Sequence, residues 1–242
     1  MNVLLTGGSR GIGKAIVLRL AKDGHRILFN YLQNEQAARE TCRLAQEIGG
    51  EARAVQADVR SASALKALTA SAEEWFGTLD ALIHNAAIGG LKPMEKLRLN
   101  QWDLTIESSL RPFWLLSKYC LPLMKEGSSI IGLSSLGSRQ YTPGYAAMGA
   151  AKGGMEALTR QLAVELAPKI RVNTVCGGLI DTDALKHLPD HERLATEVAK
   201  ATPLQRIGQP EDLAGAVALL LSPDARWING HILVADGGLS CL

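Results

Sequence analysis

Short apolar runs recur along the chain: "NVLLT" (2–6), "RILFN" (26–30), "ARAVQAD" (52–58), "DALIHN" (80–85), "SSIIGLSS" (128–135), "IRVNTV" (170–175) and "HILVAD" (231–236). Amphipathic segments of helix length lie between them. Runs this short and rich in Val, Ile and Leu predict buried strands, and their alternation with helices predicts β-α-β units on a parallel sheet. Leu65, Leu68 and Ala72 fall at helical spacing, as do Leu115, Leu116 and Tyr119, which predicts helix faces packed on that sheet. The expected fold is α/β, a doubly wound sheet of seven parallel strands with helices on both faces, in a single domain over 1–242. The chain shows no long linker, repeat or low-complexity tract. Its one polar excursion, 182–203, is long enough to form a flap over a site.

Composition narrows the chemistry. A chain of 242 residues buries its apolar surface without staples or metals. A formal charge of +2 with 21% charged residues leaves no basic stripe or acidic tail, so electrostatics nominates neither nucleic acid nor membrane as a partner. Cys42, Cys120, Cys176 and Cys241 are scattered, without metal-ligand spacing, so no metal site or disulfide framework is expected. The N-terminus lacks the basic flank of a signal peptide, and no run reaches about 18 apolar residues. A soluble, cytoplasmic protein is expected.

"TGGSRGIG" follows the first run and opens a helical pattern. Gly7, Gly11 and Gly13 would allow a tight turn and close approach of backbone amides to a pyrophosphate, the Rossmann-like arrangement. Ser9 and Ile12 belong to the same turn. The end of the second strand usually sets the choice of dinucleotide, because a carboxylate there binds the ribose 2′-hydroxyl and repels a 2′-phosphate. Asn30 and Tyr31 offer no carboxylate, and Arg10 supplies a planar cation suited to phosphate, so NADPH is expected over NADH.

The glycine turn, "QADV" around Asp58, "HNAA" around Asn85, "GLSS" at 132–135 and a helix holding Tyr145 and Lys152 together resemble the short-chain dehydrogenase/reductase family across essentially the whole chain. That resemblance implies that Asp58 and Val59 cover the adenine, that Asn85 and Ala86 line the cofactor, and that Gly178, Ile180 and Thr182 hold its carboxamide end. It also implies a homotetramer, built through the active-site helix and the last strand. "SSLGS", "EALTRQLAVELAPK" and "GGLIDTDALKHLP" are similar to the Bacillus-type enoyl-acyl-carrier-protein reductase III branch.

Three positions depart from the ordinary family pattern. Met148 stands four residues before Lys152, where the usual catalytic tyrosine would be, and a thioether donates no proton. Ser109 replaces an asparagine that helps build a proton relay from the lysine. Gly177 replaces the proline of a Pro-Gly pair. The nearest upstream phenol, Tyr145, makes a Tyr-x6-Lys pair, the spacing of the enoyl reductase branch.

Chemistry gives that spacing a rationale. Residues seven apart on a helix lie about 20° apart with about 10.5 Å of rise, against about 40° and 6 Å for residues four apart. Both pairs share a face, but the longer one moves the phenol outward. In carbonyl reduction hydride and proton go to bonded atoms. In reduction of an enoyl thioester hydride adds at C3 while charge grows on the thioester oxygen three bonds away, so the oxyanion donor belongs farther out. Tyr145 is the candidate donor, and Lys152 the cation holding the nicotinamide ribose and tuning the phenol. Tyr141 and Ser134 are candidate substrate-pocket residues. Leu185, Leu188, Leu194 and Val198 would line an acyl slot under the flap. The histidines, among them His84, His187 and His191, carry no expected catalytic role.

The expected function is reduction of an enoyl-acyl-carrier-protein or enoyl-CoA thioester by NADPH in fatty acid synthesis. Arg139, Lys186, Arg193, Lys200 and Arg206 are candidates for steering an acidic carrier. The alternatives are an NADPH-dependent carbonyl reductase acting on 3-oxoacyl thioesters or hydroxysteroids, and a cofactor-binding regulator without chemistry.

Overall fold

A computed structural model describes residues 1–186 and 190–242. His187, Leu188 and Pro189 lie outside the described residues, and with them the expected role of Leu188 in an acyl slot. Seven strands form one sheet in the order β3-β2-β1-β4-β5-β6-β7, every neighbouring pair parallel. They are β1 (Asn2–Thr6), β2 (Arg26–Tyr31), β3 (Glu51–Gln56), β4 (Leu79–His84), β5 (Met124–Ser135), β6 (Ile170–Gly177) and β7 (Ile232–Ala235). The doubly wound expectation holds. Central strands such as β1 and β4 are buried on both faces, which is why their sequences read as continuous apolar runs rather than alternating ones.

One face is covered by α1 (Gly11–Lys22), α2 (Glu35–Glu47) and, later in the chain, Pro210–Leu221. There Ile16, Val17 and Leu20 meet Val217 and Leu220 over Val3, Leu5 and Ile83. The other face carries α3 (Ala62–Phe76), α4 (Leu99–Ser109), α5 (Arg111–Cys120) and α6 (Ala146–Glu165). Its core joins Leu65, Leu68 and Ala72 to Leu115, Leu116 and Phe113, with Leu4, Leu82 and Ile130 beneath. The helical faces read from sequence are the buried ones. Asn34 and Ser61 cap α2 and α3 by accepting from the amides of Ala37 and Ala64.

Two breaks position the site. Between α4 and α5 the helix is interrupted at Leu110, with Pro112 in the first turn of α5, where its missing N–H costs least. Before α6, Gly144 adopts φ of 71°, and Tyr145 becomes the residue that starts the helix, its carbonyl accepting from the amide of Gly149. The flap segment forms α7 (Asp183–Lys186) and α8 (His191–Ala201), and Pro210–Leu221 is α9. Among the described residues no helix is long and apolar enough to cross a membrane.

Candidate active site

Strand order reverses between β1 and β4, and the carboxyl ends of the strands there open into a cleft of about 530 Å³. Its floor is the glycine turn. Gly7 and Gly11 take φ of 73° and 52°, conformations that disfavour a side chain. A Cβ on Gly13 would lie 1.9 Å from the carbonyl oxygen of Gly7, so the turn closes only on glycine. The α1 amides that follow face the cleft at the positive end of the helix, a ready anion site. Ser9 and Ile12 line the same wall.

Asn30 lines the cleft, and its side chain braces the glycine turn. It is 3% exposed, and its side chain accepts from the amide of Gly7 at 3.0 Å and donates to the carbonyl of Ala57 at 2.7 Å. Its amide is spent on holding the glycine turn, so it takes no direct part in choosing between ribose and phosphate. Tyr31 and Arg10 stand at that end of the cleft, Arg10 exposed and without a side-chain capping bond. Asn85 is a second brace, donating to the carbonyls of Thr6 and Gly7 at 3.0 and 3.1 Å, and Ala86 lies beside it in the wall.

Asp58 and Val59 also line the cleft. The Asp58 carboxylate receives Arg60 Nε at 3.0 Å on each oxygen and Arg60 Nη2 at 2.6 Å, and the guanidinium holds the carboxyl below its ordinary range. The sequence reading missed Arg60, whose only signal is its place two residues after the aspartate.

Tyr145 and Lys152 meet the cleft from α6. The phenol oxygen of Tyr145 lies 2.8 Å from Ser135 Oγ; burial raises the phenol pKa and the Ser135 bond works against it. Lys152 is 6% exposed and donates from Nζ to the carbonyl of Leu133 at 2.6 Å, while burial pulls its pKa down to about 8. Met148 also lines the cleft, its sulfur 3.9 Å from Ser109 Oγ. The Ser109 carbonyl receives Nε2 of His84 at 2.8 Å, which makes Nδ1 the acceptor from Thr6 Oγ1 at 3.0 Å. Thr6 Oγ1 in turn accepts from the amides of Asn85 and Ala86. His84 is wholly buried, and desolvation with the nearby Lys152 charge lowers its pKa to about 3.

Ser134 lines the cleft as expected, with its hydroxyl engaged elsewhere, and Tyr141 departs from expectation. Side chains on a strand alternate, so consecutive serines face opposite ways. Ser134 Oγ turns away from the phenol and donates to Glu156 Oε1 at 2.8 Å, and Ser135 is the serine beside Tyr145. Tyr141 is 90% exposed and outside the cleft, because the turn through Gly144 brings Tyr145 inward and leaves Tyr141 in solvent. It lines no acyl pocket.

The far wall contains Gly178, Ile180 and Thr182, and Thr182 Cγ2 lies 3.6 Å from where a Cβ on Gly11 would stand. The flap thus begins against the glycine turn. Its apolar residues divide: Leu185 faces the cleft, Val198 lines a separate cavity of about 140 Å³ behind Gly178 and Ile180, and Leu194 borders neither. Gly177 has a packing reason of its own, since a Cβ there would lie 2.8 Å from Leu213 Cδ1. Of the basic residues suggested for steering a carrier, Arg139, Lys186, Arg193 and Arg206 are engaged with Glu156, Asp183, Glu197 and Asp212. Among the described residues no cluster of His, Cys, Asp and Glu suits a metal.

A family model described as enoyl-(acyl carrier protein) reductase matches residues 7–240. The chain is 39% identical over 240 residues to 1-cyclohexenylcarbonyl-CoA reductase of Streptomyces collinus, covering 98% of this chain and 86% of that one. It is 32% identical over 242 residues to glucose 1-dehydrogenase 2 of Bacillus subtilis, covering 98% and 93%. A short chain dehydrogenase from Burkholderia cenocepacia, solved in complex with NADP, superposes with a TM-score of 0.92 at 33% identity, over 99% of this chain and 97% of that one.

Proposed function

The chain belongs to the short-chain dehydrogenase/reductase family, and we propose that this oxidoreductase reduces the conjugated double bond of an enoyl thioester with NADPH, as the enoyl-acyl-carrier-protein reductase III branch does. The observation that carries the reading is the place of the phenol. Tyr145 starts α6 with its hydroxyl at Ser135, while the position one turn closer to Lys152 holds the Met148 thioether. A relative named for a 1-cyclohexenylcarbonyl-CoA supports it, since that name describes a double bond conjugated to a thioester carbonyl.

The cleft suits a nicotinamide dinucleotide: a glycine turn that tolerates no Cβ, free helix amides, and Arg10 beside a strand end without a carboxylate. When bound, NADPH supplies the hydride that adds at C3 of the acyl group. Lys152 donates one proton to Leu133, leaving two for the ribose hydroxyls. The Ser135 and Tyr145 hydroxyls lie 2.8 Å apart; with Ser135 as the donor, the phenol's own proton would point at the thioester oxygen, where negative charge develops. Ser109, in place of the family's relay asparagine, has its hydroxyl on the Met148 sulfur, which is consistent with a tyrosine that stabilises charge rather than one reprotonated through the lysine.

A carbonyl-reducing alternative has one observation in its favour: a tyrosine and serine hydroxyl 2.8 Å apart would also polarise a ketone, and the glucose dehydrogenase is a relative. The carrier would be acyl carrier protein or coenzyme A. Self-association as a homotetramer belongs to the same reading, with Trp227 at 96% and Val164 at 80% exposure as apolar residues open to a partner copy. Oxidation of NADPH and NADH with crotonyl-CoA beside acetoacetyl-CoA tests the reading. Crotonyl-dependent turnover favouring NADPH supports it, and turnover with acetoacetyl-CoA alone refutes it.

A further inference from the structure

Glu156 stands four residues beyond Lys152 on α6 and is 4% exposed. A carboxylate that deep is costly unless it is hydrogen-bonded and paired. Ser134 Oγ and Ser138 Oγ reach its Oε1 at 2.8 and 2.6 Å, and Arg139 Nε reaches Oε2 at 2.8 Å. Burial pushes its pKa up, but the bonds from Ser138, Arg139 and Ser134 outweigh that and hold it below the ordinary value. All three donors belong to the short segment 134–139, which leaves β5 and coils through Leu136–Ser138.

That segment is the seat of Tyr145. Ser135, whose hydroxyl meets the phenol, lies between the residues that Glu156 gathers, and Ser138 Oγ also lies 2.8 Å from the Ser135 carbonyl. A Cβ on Gly137 would fall 2.2 Å from Cδ1 of Tyr145, so the tyrosine ring packs directly on the backbone of the same turn. A Cβ on Gly149 would fall 2.6 Å from the Gly137 carbonyl oxygen, so the turn also lies flush on α6. A shift of this turn moves the phenol with it.

We propose that Glu156 is a positioning residue for Tyr145, gathering Ser134, Ser138 and Arg139 so that the 134–139 turn fixes the phenol against Ser135 and Gly137. The inference rests on the reading of Tyr145 as the hydroxyl that meets substrate oxygen. It gives a buried carboxylate a task that stability alone does not require, because buried charges, even paired, are often no more stabilising than apolar residues of the same size.

The test compares wild type with Glu156→Gln in the full chain, measuring kcat and KM for crotonyl-CoA, NADPH affinity, melting temperature and the ¹³Cζ resonance of Tyr145, assigned with Tyr145→Phe. Glu156→Gln is expected to lower kcat about tenfold, the scale of a small misplacement of a reacting group. NADPH affinity stays unchanged and the Tyr145 resonance moves. Glu156→Asp, which keeps the charge, recovers part of kcat. Should Glu156→Gln not fold, Arg139→Gln at the half-exposed end of the pair gives the same pattern in weaker form. Wild-type kcat with an unmoved Tyr145 resonance, whether or not the melting temperature falls, overturns the proposal. If wild type turns over no enoyl thioester yet the resonance still moves in Glu156→Gln, the positioning role stands and the enoyl reading fails.

Discussion

The hydroxyls of Tyr145 and Ser135 lie 2.8 Å apart, one at the start of α6 and the other at the end of β5. In the proposed reading the serine orients the phenol and the phenol's proton meets substrate. Tyr145→Phe removes that proton and little else, so kcat for crotonyl-CoA is expected to fall about 100-fold, the effect of losing one oxyanion donor. NADPH affinity by fluorescence titration is expected to match wild type. An unchanged kcat would remove Tyr145 from the chemistry.

Lys152 carries a cost in stability. Its pKa is about 8 in the folded protein against 10.5 for the free side chain, because burial opposes the charge. Between those values the unfolded chain binds the proton and the folded chain does not, so stability rises with pH from about 8 towards 10.5. Below that window the full cost applies. Lys152→Met is therefore expected to stabilise the cofactor-free protein at pH 7 by about 1–3 kcal/mol, the lost Leu133 bond offsetting part of the gain. The same variant is expected to lose NADPH affinity and turnover. Denaturant unfolding at pH 7 and pH 9.5 checks the sign, since the advantage of the variant should shrink at the higher pH.

His84 predicts acid sensitivity. It is neutral in the fold, with a pKa of about 3, and would take up a proton near 6.5 once unfolded. The unfolded state binds more protons between those values, so stability is complete above about 6.5 and falls as pH drops through the window. At pH 5 the loss is expected to reach about 2 kcal/mol. His84→Asn lacks this titration and should show a flatter fall between pH 6.5 and 5 in urea unfolding curves. Equal slopes would mean that the imidazole is solvated enough to charge in place.

Much of the architecture was legible because parallel strands buried on both faces must be apolar runs, and helices on them must be amphipathic. The glycine turn was legible too, since Gly7, Gly11 and Gly13 answer to backbone geometry that only glycine meets. Orientation within an element was harder. Ser134 and Ser135 are identical in sequence and differ only in which face of β5 they take, and that is set by pairing with β6. Asn30 read as a residue facing ligand because it ends a strand, yet the loop after it turns its amide inward to Gly7. Tyr141 and Tyr145 differ through the turn at Gly144, a single backbone angle. Glu156 gave no sequence signal and Arg60 only its place two residues after Asp58, because a charged residue on a helix or in a loop is ordinarily solvated.

Arg10 offers the test of the proposed NADPH preference. With the Asn30 amide committed to the glycine turn, the exposed guanidinium at the head of α1 is a basic group lining the same cleft as Tyr31. A phosphate on the adenosine ribose would gain a charge-assisted bond there, and a ribose hydroxyl would gain far less. Such a bond is worth about 1.5–3 kcal/mol, or about 10- to 100-fold in affinity. Arg10→Ala is expected to lower kcat/KM for NADPH by that factor while leaving kcat/KM for NADH nearly unchanged, both followed at the nicotinamide absorbance with crotonyl-CoA. Raising ionic strength should erode the NADPH preference of wild type and leave the variant flat, because an exposed charge pair is screened by salt. An equal loss with both cofactors would mean instead that Arg10 acts through the shape of the turn, a role its extended backbone at the start of α1 would also permit.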